Sequence, residues 1–228
     1  MSEGAIFLNS GPLFNAEHLE SLEETAEWGE LGDELQTAYT MIRESFEKHA
    51  TLLAGNPSVD ETRYFMVTPA LHALGFMATV NERVEGSGEG SVRVDYALFN
   101  DGDEFIEAEP LRGSAGFYRF AIGLVQCVPW GQPLDQAADD EEGTPAPATK
   151  LDVLLRMTGL DYGVLTNGCD WRLYHRATSS LQNTYFQADM IAAVKGDFED
   201  FKRFYMLFRS TGFVKDDTGE SFLDRLLQ

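Results

Sequence analysis

Apolar positions in the first sixty residues recur at helical spacing. In "DELQTAYTMIRESFEKHATLL" the residues Leu35, Tyr39, Ile42, Phe46 and Leu53 fall on one stripe, which predicts an amphipathic helix. The preceding "NAEHLESLEETAEW" is polar and acidic and predicts a surface helix. "SVDETRYFMVTPALHALGF" predicts an apolar helix with Asp60 as N-cap, a kink at Pro69 and a stop at Gly75. His72 is expected in the core on its apolar face.

From Phe76 the period changes to two. "FMATVNERVE" and "SVRVDYALF" predict strands joined by a turn at "GSGEG". In the second strand Arg93, Asp95 and Ala97 face away from Val92, Val94, Tyr96 and Leu98. After "NDGD", the run "EFIEAEPL" alternates again and predicts a third strand, with Phe105, Glu107 and Glu109 on one face. "SAGFYRFAIGLVQCV" predicts a helix capped by Ser114, and "PWGQPLDQAADDEEGTPAPAT" a Pro-rich acidic loop. "KLDVLLRMTG" predicts a helix ending at Gly159. "YGVLTNGCDWRLYHR" predicts a hairpin turning at Asn167-Gly168, with Trp171 and Tyr174 facing the core. "DMIAAVKG" and "DFEDFKRFYMLFRSTGF" predict two closing helices. The sum is an α/β fold: a mixed sheet of about five strands flanked by helices, with an N-terminal helical extension. The expected boundaries are 1–59 for the extension, 60–182 for the core and 183–228 for the closing helices. No G-x-G-x-x-G follows a strand and no P-loop is present, which argues against nucleotide-binding α/β folds.

Charge changes the picture. The 228 residues carry 38 acids against 17 bases, a net charge of −21. Five of the bases are lysines. Such a surface repels DNA at ordinary ionic strength, since phosphate contacts supply most non-specific affinity. Salt-adapted (halophilic) proteins, mimics of nucleic-acid charge and ordinary acidic proteins all fit this balance. Molar salt shortens the screening length to about 3 Å, so DNA binding stays open in a halophile. Cys127 and Cys169 lack zinc-ligand spacing. No apolar run is long enough to span a membrane and no leader pattern opens the chain, so a cytoplasmic protein is expected.

The candidate chemistry lies in the paired strands. An antiparallel pair would bring Asp95 and Glu107 within reach of each other, with Glu109 on the same face. Carboxylates gathered on neighbouring strands suit Mg²⁺, which prefers oxygen ligands, lowers the pKa of bound water and offsets charge on a phosphoryl oxygen. The simpler alternative is a solvated face in a very acidic protein.

"ETRYFMVTPALHALGF", "VDYALF", "IEAE", "YGVLTNGCDWRLYHR" and "FEDFKRFYMLF" follow one another in an order that resembles the N-terminal nuclease region of type IIG restriction-modification enzymes and their type I-like relatives. The resemblance runs from Asp60 to Gln228, and "GVLTNG…WRLYH" is its most specific part. It implies a PD-(D/E)xK fold that cuts double-stranded DNA with Mg²⁺, Mn²⁺ being an alternative. The first carboxylate falls on Asp95, the glutamate of the E-x-K element on Glu107 and a helix glutamate on Glu61. Asp95, Glu107 and Glu109 would ligate the metal. The family's lysine is replaced by Glu109, which can ligate metal or act as a base but supplies no positive charge. The resemblance therefore implies either a working endonuclease domain or an inactive scaffold that positions DNA; an acidic DNA mimic is a third class. It also implies methyltransferase and specificity regions downstream, where S-adenosylmethionine would bind. From its own position, Glu61 is equally a first-turn residue favoured by the helix dipole.

Overall fold

The computed structural model describes residues 5–84, 92–136 and 145–227. The expected "GSGEG" turn and the acidic centre of the Pro-rich loop lie outside the described residues. In chain order the elements are β1 (Phe7–Ser10), α1 (Ala16–Glu20), α2 (Ala26–Gly29), α3 (Asp33–Leu53), α4 (Val59–Thr62), α5 (Thr68–Ala73), β2 (Met77–Val84), β3 (Val92–Phe99) and α6 (Gly102–Ala108). There follow β4 (Gly123–Cys127), α7 (Pro147–Thr158), β5 (Tyr162–Thr166), β6 (Asp170–His175), β7 (Tyr185–Asp189), α8 (Met190–Lys195), α9 (Phe198–Phe208) and α10 (Phe222–Leu227). The class is α/β, as expected. The described strands form one mixed sheet of seven, not five, in the order β1-β7-β6-β5-β4-β3-β2.

The difference in count has physical causes. "EFIEAE" is the helix α6, not a strand. Asp101 caps it, accepting from the backbone N–H groups of Asp103 and Glu104 at 3.0 Å each, and acids in its first turn suit the helix dipole. Phe105 and Ala108, three apart, turn inward while Ile106 is exposed. Conversely, "GLVQC" inside the expected Ser114 helix is β4, buried at every residue. A strand covered on both faces reads as a continuous apolar run and hides its period. The short β1 and β7 complete the seven.

The expected N-terminal extension, core and closing helices share this sheet. β1 pairs antiparallel with β7, and the Asn15 N–H donates to the Leu226 carbonyl at 2.8 Å. One face of the sheet packs against a cluster containing Leu35, Ile42 and Leu71 together with Phe201, Phe204 and Phe208 of α9. The other face is covered by α6 and α7 through Ala108, Leu151, Leu154 and Leu155.

Two local devices shape the region around Asp95. The expected kink at Pro69 is a widened π turn over Arg63–Val67. Proline cannot donate to the Phe65 carbonyl four residues back, and that oxygen accepts from Ser45 Oγ of α3 at 2.8 Å instead. His72 is exposed, not in the core. In β2, Asn81 adopts φ +60, and the alternation of buried positions breaks there: Thr79 on one side of the break, and Glu82 and Val84 on the other, are all buried.

The β5–β6 hairpin forms as its sequence predicts. Asn167 Oδ1 accepts from the N–H groups of Cys169 (2.9 Å) and Asp170 (2.7 Å), while Gly168 takes φ +86. A Cβ at Gly168 would stand 2.6 Å from the Trp130 ring. Gly168→Ala should therefore cost about 2 kcal/mol through left-handed strain and the clash. Urea denaturation at unchanged slope measures this, and a loss below about 0.5 kcal/mol would contradict the packing.

Candidate functional site

The β3–β4 ladder ends at Tyr96↔Val125, although β4 continues beside β5 to Cys127↔Thr166. One step beyond, where Asp95 and Gln126 would pair, β3 and β4 are no longer joined by the ladder. Asp95 fills that fork, its side chain only 17% exposed. Its Oδ2 accepts from the Cys127 backbone N–H at 2.7 Å and from the Gln126 side-chain amide. The carboxylate thus continues the link between the strands where the backbone ladder stops.

The third partner is Arg63, delivered by the π turn. Its Nη1 lies 3.3 Å from Asp95 Oδ1 and 3.1 Å from Asp60 Oδ1, and its guanidinium carbon sits 5.5 Å from the centre of the Tyr96 ring. The Tyr96 hydroxyl is 2.8 Å from Thr68 Oγ1, and burial pushes its pKa up to about 12. Burial also raises the Asp95 carboxyl above its ordinary value, against the Cys127 N–H and the charges of Arg63 and Lys150. Desolvation raises the buried Cys127 thiol further. Gln126 Oε1 is buried without a hydrogen-bond partner among the described residues. A pocket of about 200 Å³ opens beside the cluster, lined by Asp60, Arg63, Tyr64, Thr68, Val80 and Tyr96.

Of the expected site residues, Asp95 alone occupies this fork. Glu107 lies on α6 and Glu109 opens the 3₁₀ turn after it; both are exposed. Among the described residues no three His, Cys, Asp or Glu side chains converge as a metal site. Glu61 closes a capping box. Ser58, not Asp60, is the N-cap, and Glu61 Oε2 accepts from the Ser58 N–H and Oγ at 2.8 Å each. These bonds to Ser58 lower its pKa. Arg112 pairs with Glu82 at 3.1 Å.

A divalent cation as expected on Asp95, Glu107 and Glu109 does not fit this donor set. The Asp95 oxygens face a guanidinium, an amide NH₂ and a backbone N–H, all hydrogen-bond donors, where a cation would need lone pairs. Gln126, the Cys127 backbone and Lys150 are the neighbours that sequence did not single out. Gln126 was hidden inside an apparent helix, and no spacing rule joins Arg63 to a strand 32 residues away.

Two outcomes follow. Asp95→Ala should destabilise the fold by about 3 kcal/mol, because it removes the buried countercharge of Arg63 and leaves the Cys127 N–H without its acceptor. Glu107→Gln and Glu109→Gln should each stay within about 0.5 kcal/mol; chemical denaturation separates the two classes. Asp95 also predicts a sign in pH. Its folded pKa is raised, so folding takes up a proton in the window above 3.8, and its contribution to stability falls as pH rises through that window. The stability of wild type minus that of Asp95→Asn should therefore fall as pH rises above 3.8. A difference that grows with pH would mean that Arg63 outweighs burial.

No family model, curated protein or solved structure matches the chain.

Proposed function

We propose that the chain is a restriction-endonuclease-like domain of a restriction-modification protein that positions double-stranded DNA for its neighbouring regions, and that Asp95 organises the fold instead of hydrolysing phosphodiesters. The supporting observation is the fork itself. A helix, three antiparallel strands, a crossover helix and a parallel strand follow in order (α4–α5, β2–β3–β4, α7, β5), with the one acid of the expected motif that reaches the sheet at the β3–β4 fork. That order agrees with the resemblance carried by "VDYALF" and "GVLTNG…WRLYH". The donors around Asp95 and the exposed Glu107 and Glu109 favour the scaffold over the nuclease. Hydrolysis with Mg²⁺ or Mn²⁺ on Asp95, Glu107 and Glu109 would require the chain after β3 to rearrange, because β2 and β4 already flank β3 and Glu107 lies on α6. Downstream methyltransferase and specificity regions are the partners this proposal implies. Among the described residues no helix is long and apolar enough to cross a membrane.

A net charge of −21 opposes DNA at long range, so duplex binding should strengthen when KCl rises from about 0.1 M to about 1 M and screening shortens. Fluorescence anisotropy with a labelled duplex reads this. Plasmid cleavage in Mg²⁺ and in Mn²⁺ is the companion assay, and wild type and Asp95→Asn should be equally silent. Metal-dependent cleavage lost in Asp95→Asn would restore the nuclease; a folded protein that ignores duplex DNA at every salt concentration would sink the scaffold.

A further inference from the structure

The mismatch between the donors at the fork and a metal ion has a specific cause. We infer that Arg63 is the resident counter-cation of the Asp95 site, holding the place that a divalent cation would need and keeping the fork closed to metal. This deepens the non-hydrolytic proposal and rests on it, but needs no DNA.

Three observations carry it. Arg63 and Asp95 are both largely buried, with side-chain exposures of 15% and 17% and 3.3 Å between Nη1 and Oδ1. Such a pair resists separation, because removing one member strands the other charge. Arg63 is also pinned on other sides, by Asp60 at 3.1 Å and by the Tyr96 ring, and the π turn that begins at Arg63 sets where its side chain starts. Lastly, Gln126 uses its NH₂ on Asp95 and leaves Oε1 buried without a partner among the described residues. A rotation of this amide would turn the carbonyl towards the carboxylate, and these are the oxygen types that a hard cation takes. The amide can turn and the Cys127 N–H is neutral, so the guanidinium, a fixed positive charge in a site of low dielectric, is the strongest opponent of such an ion.

Removing that charge should open the site. Arg63→Met keeps the apolar stem over Tyr96 and deletes the cation; Arg63→Gln is a second neutral variant in case the first does not fold, and Arg63→Lys restores the charge. Mn²⁺ binding is read by electron paramagnetic resonance at molar KCl, which suppresses weak adsorption to the acidic surface. Near-ultraviolet circular dichroism checks folding. In wild type and Arg63→Lys, Mn²⁺ binding should not change when Asp95→Asn is added. In a folded neutral variant Mn²⁺ should bind at least about tenfold more tightly than in wild type, and Asp95→Asn should abolish the gain. Asp95-dependent Mn²⁺ binding by wild type would overturn the inference directly. Folded neutral variants that bind Mn²⁺ no better than wild type would overturn it too. Neither result bears on duplex binding, so failure here and failure of the scaffold are told apart.

Discussion

One carboxylate joins two strands of the sheet to the helical layer that covers them. Asp95 accepts from the backbone of β4, from the Gln126 side chain and faces Arg63 of the helical layer. Strand, neighbouring strand and covering helix therefore meet at two oxygens. The β3–β4 ladder can end at Tyr96↔Val125 without leaving the Cys127 N–H unpaired. The π turn at Arg63–Val67 places the guanidinium, and Ser45 makes that turn tolerable by satisfying the carbonyl that Pro69 cannot.

Such a junction balances large opposing effects. Taking a carboxylate and a guanidinium out of water costs several kcal/mol per ion, and close pairing offsets only part of that cost here, since Arg63 Nε is buried without a partner among the described residues. Burial is the largest influence on the Asp95 carboxyl and raises its pKa, so the pairing does not fully compensate for desolvation. The same arrangement that makes Asp95 a good structural clasp makes it a poor metal ligand, since its lone pairs already meet donors. Among the ion pairs of the described residues, Asp95 and Arg63 are notable in that both side chains are largely buried, at 17% and 15% exposed.

Much of the fold was legible in the residues, and the failures share a physical origin. α3, α7 with its Gly159 stop, α9 and the Asn167-Gly168 hairpin carry long periods or turn chemistry that few other structures satisfy. "EFIEAE" did not, because six residues with alternating apolar positions fit a strand and a short helix alike. The Asp101 cap that decides between them lies outside the alternating run. "GLVQC" failed in the opposite sense: buried on both faces, it lost its period and with it Gln126. The candidate site inherited both errors. Asp95 was found because it interrupts an apolar strand, whereas Glu107 and Glu109 followed from a strand that is a helix. The pairing of Arg63 with Asp95 is a tertiary fact that no local spacing encodes.

The most direct test of this account is a double-mutant cycle on the Asp95–Arg63 pair by chemical denaturation, using Asp95→Asn, Arg63→Met and the combined variant. The account predicts that the two changes are strongly non-additive, with a coupling energy of at least about 1 kcal/mol, because each single variant strands its buried partner and the double variant does not. Additivity within about 0.3 kcal/mol would contradict it and would leave Asp95 as a carboxylate held by the Cys127 backbone and the Gln126 amide.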